Sequence, residues 1–162
     1  MPERRRGLLP YGLLVAAVVV GLDQLLKVLA DAALILYRPL ELLPVLNLTL
    51  HYNTGAAFSL LAGQDGWQRW FFTVLAIVVS AYLAWWIREL QPHQRWHATA
   101  LALIMGGAIG NVIDRLVYGH VVDYIDVHYG TWHYPAFNLA DSAITVGVIL
   151  LVGLTLFGLE RA

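Results

Sequence analysis

Four long, predominantly apolar stretches constrain this chain more than any other feature. They cover about residues 8–30, 70–87, 98–116 and 139–159. Each is long enough to cross a hydrocarbon layer of about 30 Å as an α-helix. A helix satisfies its own backbone hydrogen bonds, and it is therefore the conformation that such a segment adopts in lipid. The sequence predicts an all-α polytopic membrane protein with four transmembrane helices.

The composition excludes the water-soluble classes of protein. Hydrophobic residues make up 59% of the 162 residues and charged residues 13%, where soluble domains average about 45–50% and about 25%. A domain this small cannot bury so much apolar surface. The net charge of −1 provides no field for a polyanion, and we expect no nucleic-acid partner. Without repeats or linkers, residues 1–162 are expected to form a single membrane domain.

Arginines in the short connecting segments predict the orientation of the helices. With four spans, both termini and the turn at 88–97 lie on one side of the membrane. That side carries Arg4, Arg5, Arg6, Arg88, Arg95 and Arg161, whereas the other side carries Arg38, Arg69 and Arg115. We therefore expect cytoplasmic termini and two outer, periplasmic loops at about 31–69 and 117–137.

Two charged residues, Asp23 and Lys27, lie within the first apolar stretch. A charge inside a span costs about 2.5–3.5 kcal/mol on insertion scales and marks a candidate functional position. Four residues apart, the two side chains share one helix face and can neutralise each other. We expect an ion pair that fixes this helix to its neighbours, with a direct chemical role as the alternative. A cleaved signal peptide ending near Ala30–Ala32 is disfavoured by these charges and by the length of the apolar run.

The first outer loop contains a strand pattern. Apolar and polar residues alternate from Leu46 to Asn53, which predicts an amphipathic strand, and Thr54–Gly55 ends the pattern. Such a strand would build a small β-platform on the outer membrane surface. An ordinary loop hairpin is the alternative that periodicity leaves open.

The third stretch ends in glycines and polar residues. Gly106 and Gly110 form a small-xxx-small patch that favours close packing against another helix. Asn111, Asp114 and Arg115 have helical spacing and predict one polar stripe at the outer end of the helix. The stripe could hydrogen-bond a substrate or anchor the helix end at the interface.

Carboxylates occur on both sides of the junction between the second outer loop and the fourth helix. Asn138 is the predicted N-cap and Asp141 lies in the first turn, so capping alone would explain both. Asp123 lies among apolar residues in the loop, and we expect it at the same membrane depth as Asp141. Two carboxylates in a partly dry site share a proton and can act as acid and base, as in aspartic proteases. Pairs of Asp114 with Asp141, or of Asp123 with Asp126, remain alternatives.

Other catalytic chemistries have no motif in this sequence. The chain has no cysteine, and its six histidines show no metal-ligand spacing such as HExxH. It also has neither a GxSxG motif nor a glycine-rich phosphate loop. We expect no metal and no cofactor.

Four blocks of sequence, together with Asp23 and Lys27, carry a resemblance to a known family. The blocks are Tyr52–Phe58, Gly106–Arg115, Gly119–Asp123 and Phe137–Ala143. In this order, over nearly the whole chain, they resemble bacterial lipoprotein signal peptidase, signal peptidase II. The resemblance implies a metal-free intramembrane aspartyl endopeptidase, sensitive to globomycin. It would cut prolipoproteins before a cysteine that carries diacylglyceryl.

The resemblance also implies roles for individual residues, with Asp123 and Asp141 as the catalytic pair. Positions around the family's site are Asn53, Gly55, Asn111, Arg115, Asn138 and Ala140, and further characteristic positions are Asp23, Lys27 and Asp114. Tyr124 is a departure, because the family frequently has Phe there. The implied location is the bacterial cytoplasmic (inner) membrane, with the site near the outer leaflet, and nothing in the sequence demands more than a monomer. Its implied partners are a lipid-modified prolipoprotein and membrane lipid.

Two other classes of function compete with a peptidase. A small proton-coupled transporter or channel would use Asp23, Lys27, Asp114 and Asp141 as a relay, but it predicts polar residues throughout the membrane depth, and here most cluster towards the outer face. A non-catalytic assembly factor would not explain two enclosed carboxylates at one depth. A presenilin-like protease would carry Gly-x-Gly-Asp, which this sequence lacks.

Overall fold

Four long helices dominate the computed structural model, which describes residues 7–55 and 66–158. They are α1 (Leu9–Ala33), α2 (Trp67–Glu89), α3 (Arg95–Val117) and α4 (Leu139–Leu156). Each is long and apolar enough to cross a membrane, which confirms the predicted polytopic class. Their ends differ from the predicted ends by at most three residues. The difference arises because an apolar run marks the part of a helix in hydrocarbon, whereas helical hydrogen bonding is independent of that boundary.

The segments between the helices form a small antiparallel sheet at one end of the bundle. Its strands are β1 (Leu40–Leu43), β2 (Leu46–Asn53), β3 (Val121–Tyr129) and β4 (Trp132–His133), in the order β1-β2-β3-β4. The prediction of β2 is confirmed with the same bounds. β3 was not predicted from the sequence, because its first four residues are all buried and a strand buried on both faces shows no alternation.

The pairing of β2 with β3 joins the two outer loops. His51 lies opposite Asp123, and Asn53 lies opposite Val121. Gly119 connects α3 to this strand with a φ of +82°, a left-handed conformation that residues with a side chain rarely adopt. This turn therefore brings Asp123 back over the end of the helix bundle.

The third helix is the centre of the bundle and packs against the other three. Its buried face is rich in small residues, including the fully buried Ala98 and Ala102. A Cβ atom on Gly106 would lie 2.9 Å from the carbonyl oxygen of Ala16, and one on Gly110 would lie 2.6 Å from Oδ2 of Asp23. The small-xxx-small prediction is thus confirmed, and its partner is α1. Close packing of this kind holds helices together in lipid, where hydrophobic burial between helices supplies little.

Candidate active site

A buried ionic cluster joins α1 to α3 below the sheet. Nζ of Lys27 lies 2.9 Å from Oδ2 of Asp23 and 2.9 Å from Oδ2 of Asp114, and it donates a 2.9 Å hydrogen bond to Oδ1 of Asn111. The three charged side chains are at most 3% exposed. The predicted ion pair is confirmed, and it includes a third charged residue that fixes α1 to α3.

The two carboxylates of this cluster also bind backbone groups beside the candidate catalytic residues. Oδ1 of Asp23 accepts a 2.9 Å hydrogen bond from the N–H of Ala140, and Oδ2 of Asp114 accepts a 3.0 Å bond from the N–H of Val122. Ala140 immediately precedes Asp141, and Val122 immediately precedes Asp123. The cluster therefore fixes the backbone beside Asp123 and Asp141.

The predicted polar stripe on α3 contacts both the ionic cluster and a cavity. Asp114 binds Lys27 and the side chain of Gln24, whereas Arg115 lines a cavity. Asn111 lies between them, because it accepts a hydrogen bond from Lys27 and also lines that cavity. Helical spacing brings the three residues near one another, but the charge of Lys27 draws Asp114 towards α1. Gln24 was missed by the sequence analysis, although a polar residue within an apolar stretch was a usable signal.

The start of α4 links helix capping to the site. Oδ1 of Asn138 accepts a 2.9 Å hydrogen bond from the N–H of Asp141, and Oδ2 of Asp141 accepts a 3.3 Å bond from the N–H of Asn138. This capping box confirms the predicted N-cap. Because the amide oxygen of Asn138 is used in the cap, its NH₂ group faces Asp123 and donates a 2.7 Å hydrogen bond to Oδ1.

Three asparagines hold the two carboxylates. Besides Asn138, Nδ2 of Asn53 donates a 3.0 Å hydrogen bond to Oδ2 of Asp123, and Nδ2 of Asn111 donates a 2.8 Å bond to Oδ1 of Asp141. Asp123 is 2% exposed. Burial and the charge of Asp141 raise the pKa of Asp123 to about 7, against the opposing effect of its hydrogen bonds. Asp123 therefore titrates in the range where an acid–base group is useful.

Asp123 and Asp141 line one cavity of about 450 Å³. Its remaining lining is partly polar, from Asn53, Asn111 and Arg115, and largely apolar, from residues 134–137 and from α4. The segment 134–137 is held by the bridge between Ile125 and Phe137, a contact that sequence patterning did not reveal. The cavity combines acid–base groups with a wall suited to apolar side chains.

The turn after β2 is attached to the same site. The N–H of Gly55 donates to Oδ1 of Asn53 at 3.0 Å, and its carbonyl oxygen accepts a 3.2 Å bond from Arg115. The guanidinium of Arg115 also lies 5.7 Å from the ring centre of Phe72. The predicted positions Asn53, Gly55 and Arg115 are therefore in contact, whereas the rest of this motif, residues 56–58, lies outside the described residues.

The other predicted carboxylate pairs do not meet at the cavity. Asp114 lies in the ionic cluster. Asp126 receives hydrogen bonds from Thr49 at 3.0 Å and from Asn47 at 3.4 Å, and Nδ1 of His133 lies 2.7 Å away. Burial alone would raise the pKa of Asp126, but these bonds outweigh it and lower the pKa. Within residues 7–55 and 66–158, no three His, Cys, Asp or Glu side chains are grouped to hold a metal ion.

Comparisons with known proteins indicate the family of this chain. A family model described as signal peptidase (SPase) II matches residues 15–157. The lipoprotein signal peptidase of Pseudomonas aeruginosa (strain UCBPP-PA14) is 54% identical over 154 residues, which cover 93% of this chain and 90% of the relative. The lipoprotein signal peptidase of Paraburkholderia phymatum is 54% identical over 138 residues, which cover 85% of this chain and 82% of the relative.

A solved structure shares the fold. It is described as a bacterial membrane enzyme solved by the in meso method at 2.3 Å resolution. It superposes with a TM-score of 0.79 at 33% identity and covers 94% of each chain. The family match, the relatives and the shared fold show that this chain belongs to the signal peptidase II family.

Proposed function

We propose that Asp123 and Asp141 are the catalytic pair of an aspartic endopeptidase. As a member of the signal peptidase II family, the chain removes signal peptides from prolipoproteins. The finer proposal is that cleavage precedes a cysteine carrying diacylglyceryl. The observation that supports the catalytic assignment is the single cavity lined by both carboxylates, each oriented by asparagine amides.

In the proposed reaction, the pair holds one proton between its two carboxylates, because two negative charges at one site repel. The ionised carboxylate takes a proton from a water molecule, whose oxygen attacks the carbonyl carbon before the lipidated cysteine. The protonated carboxylate donates its proton to the carbonyl oxygen. When the tetrahedral intermediate collapses, the C–N bond breaks and the leaving amine takes up the proton that came from water. The hydroxyl formed on the former carbonyl oxygen returns its proton to the carboxylate that donated it, so the product carboxyl group forms and the pair again holds one proton. The pair titrates as a unit, so the two roles belong to the pair.

The surrounding residues are proposed to position the pair and the substrate. Asn53 and Asn138 orient Asp123, and Asn111 orients Asp141. Arg115 holds the turn at Gly55 against α3.

We propose that the ionic cluster acts indirectly, by positioning the backbone that carries the catalytic pair. Asp23, Lys27 and Asp114 bind one another and the backbone of Ala140 and Val122. Because these side chains bond to one another and to the backbone, the cluster supports a positioning role rather than the proton relay of a transporter.

The membrane setting completes the proposal. The chain is a multi-pass membrane protein, and we place it in the bacterial inner membrane as a monomer with cytoplasmic termini. The site then lies near the outer leaflet, where the sheet covers the bundle. The apolar wall formed by residues 134–137 and α4 suits a signal segment and the lipid chains of the substrate.

The test is cleavage of a lipidated prolipoprotein by the purified full-length protein in detergent. Asp123→Asn and Asp141→Asn should each abolish the shortened product while leaving a folded protein. Asp126→Asn is the matched control, because Asp126 is a buried carboxylate of the same strand that does not line the cavity. Cleavage should persist with a chelator and stop with globomycin. Near-normal turnover by either dyad variant would contradict the assignment.

A further inference from the structure

A second cavity, of about 400 Å³, lies on the opposite face of the paired strands β2 and β3. Successive residues of a strand face opposite sides, so Asn53 and Asp123 line the first cavity while Tyr52 and Val122 line the second. The other wall is the end of α1 nearest the sheet, with Val28 and Asp31. The proposed peptidase mechanism makes no use of Tyr52, Val28 or Asp31.

One end of this cavity carries a negative charge with a free oxygen. The hydroxyl of Tyr52 donates a 2.6 Å hydrogen bond to Oδ1 of Asp31. This bond raises the pKa of Tyr52, as expected for a donor to an ionised carboxylate. Among the described residues, Asp31 has no other hydrogen bond and no cation, so its second oxygen is available to a ligand.

The other end carries aromatic rings with unused donors. The rings of Tyr52 and His120 lie 4.3 Å apart between centres, and Tyr118 follows at 6.1 Å from His120. Neither the ring nitrogens of His120 nor the hydroxyl of Tyr118 bonds to any other described group. Lys27 also lines the cavity, but its three N–H groups are used by Asp23, Asp114 and Asn111. The cavity thus offers a carboxylate at one end and hydrogen-bond donors at the other.

Two residues that line this cavity are exposed on the surface of the bundle. Val28 is 56% exposed and Tyr118 is 53% exposed, and both lie on or beside membrane-spanning helices. A molecule that reaches the cavity from this side comes from the bilayer, and its polar part would lie at the level of the sheet. A lipid headgroup that carries both signs of charge would complement these groups.

We propose that this cavity binds the headgroup of phosphatidylethanolamine from the leaflet beside the sheet. The primary ammonium contacts Asp31 through a charge-assisted hydrogen bond and lies against the ring of Tyr52. The phosphate lies towards His120 and Tyr118, which donate to its oxygens. An anionic headgroup such as phosphatidylglycerol would meet Asp31 with no free cation to offset the repulsion. Phosphatidylcholine lacks the N–H that Asp31 requires.

The test measures lipid binding to the full chain in detergent by native mass spectrometry. Phosphatidylethanolamine, phosphatidylcholine and phosphatidylglycerol with identical acyl chains are the probes. Wild type should bind phosphatidylethanolamine about tenfold more tightly than the other two, equivalent to about 1.4 kcal/mol. Asp31→Asn should remove this preference. Glu41→Gln is the matched control, because Glu41 is an exposed carboxylate on β1 outside the cavity, and it should keep the preference.

A second variant tests the phosphate end. His120→Ala should weaken phosphatidylethanolamine and phosphatidylcholine alike, because both carry a phosphate. Equal binding of the three lipids by wild type, tighter binding of phosphatidylglycerol, or an unchanged preference in Asp31→Asn would each overturn the proposal. These are binding measurements, so their failure is distinguishable from failure of the peptidase assignment.

Discussion

Asn138 offers the sharpest test of the site, because one fully buried side chain caps α4 with its oxygen and orients Asp123 with its nitrogen. Replacement by Ser keeps a hydroxyl that can cap the helix but removes the amide donor. Replacement by Ala removes both. The two substitutes have similar volume, so they leave similar space behind, and the difference between them isolates the cap.

The expected magnitudes follow from these contacts. Loss of an N-cap costs about 1 kcal/mol, so Asn138→Ala should be about 1 kcal/mol less stable than Asn138→Ser. A hydrogen bond to a charged group contributes about 1.5–3 kcal/mol. If that bond is required in the transition state, both variants should lose about 10- to 150-fold in kcat/KM, because each 1.4 kcal/mol is about tenfold.

Two assays separate the two roles of Asn138. Thermal unfolding in detergent reports the cap, and cleavage of a lipidated prolipoprotein reports the orientation of Asp123. Full activity in Asn138→Ser would refute the role of the amide in positioning the carboxylate. Equal stability of the Ser and Ala variants would refute the energetic role of the cap.

Three further predictions concern single groups. Burial and the charge of Asp141 raise the pKa of Asp123 to about 7, so the shared proton is lost as pH rises through about 7. The rate of cleavage should therefore fall above about pH 7. A pH–rate profile that stays flat to alkaline pH would contradict this assignment of the proton. The pKa of Asp126 is lowered, so this residue contributes stability above the ordinary aspartate pKa of about 3.9, and that stability is lost as pH falls through the lowered value. Asp126→Asn should therefore show a shallower loss of melting temperature in acid than wild type, and an identical acid limb would count against the bonds described. The hydroxyl of Tyr124 is buried near the backbone of Leu139 without a well-formed hydrogen bond among the described residues. Tyr124→Phe should therefore keep its activity and change the free energy of unfolding by less than about 1 kcal/mol. A larger loss of stability on thermal unfolding would show that the hydroxyl has a partner.

Much of the architecture was predictable from local patterns. The membrane spans could be located because lipid requires long apolar helices. Strand β2 could be located because one of its faces is more polar than the other. By contrast, β3 is buried on both faces over its first residues, which removes the periodic signal. Its position depends on pairing with a strand about 70 residues earlier, and no local pattern records that distance.

Part of the candidate site was also predictable from the sequence. Chain order alone suggested that Asp123 and Asp141 lie at one depth, and the structure places both at one cavity. The direction taken by Asp114 was not predictable, because it depends on the buried charge of Lys27 on another helix. The apolar wall at residues 134–137 depends on the bridge to Ile125, which is likewise a tertiary contact.

The hydrogen bond from Ala140 to Asp23 has a consequence for biosynthesis. The ribosome makes Asp23 early, whereas its backbone partner emerges 117 residues later with the last helix. Until then, Oδ1 of Asp23 lacks the backbone donor that it has in the complete fold. Insertion of α4 supplies that donor and aligns Asp141 in the same step. A chain that lacks α4 is therefore expected to reach the membrane without proteolytic activity.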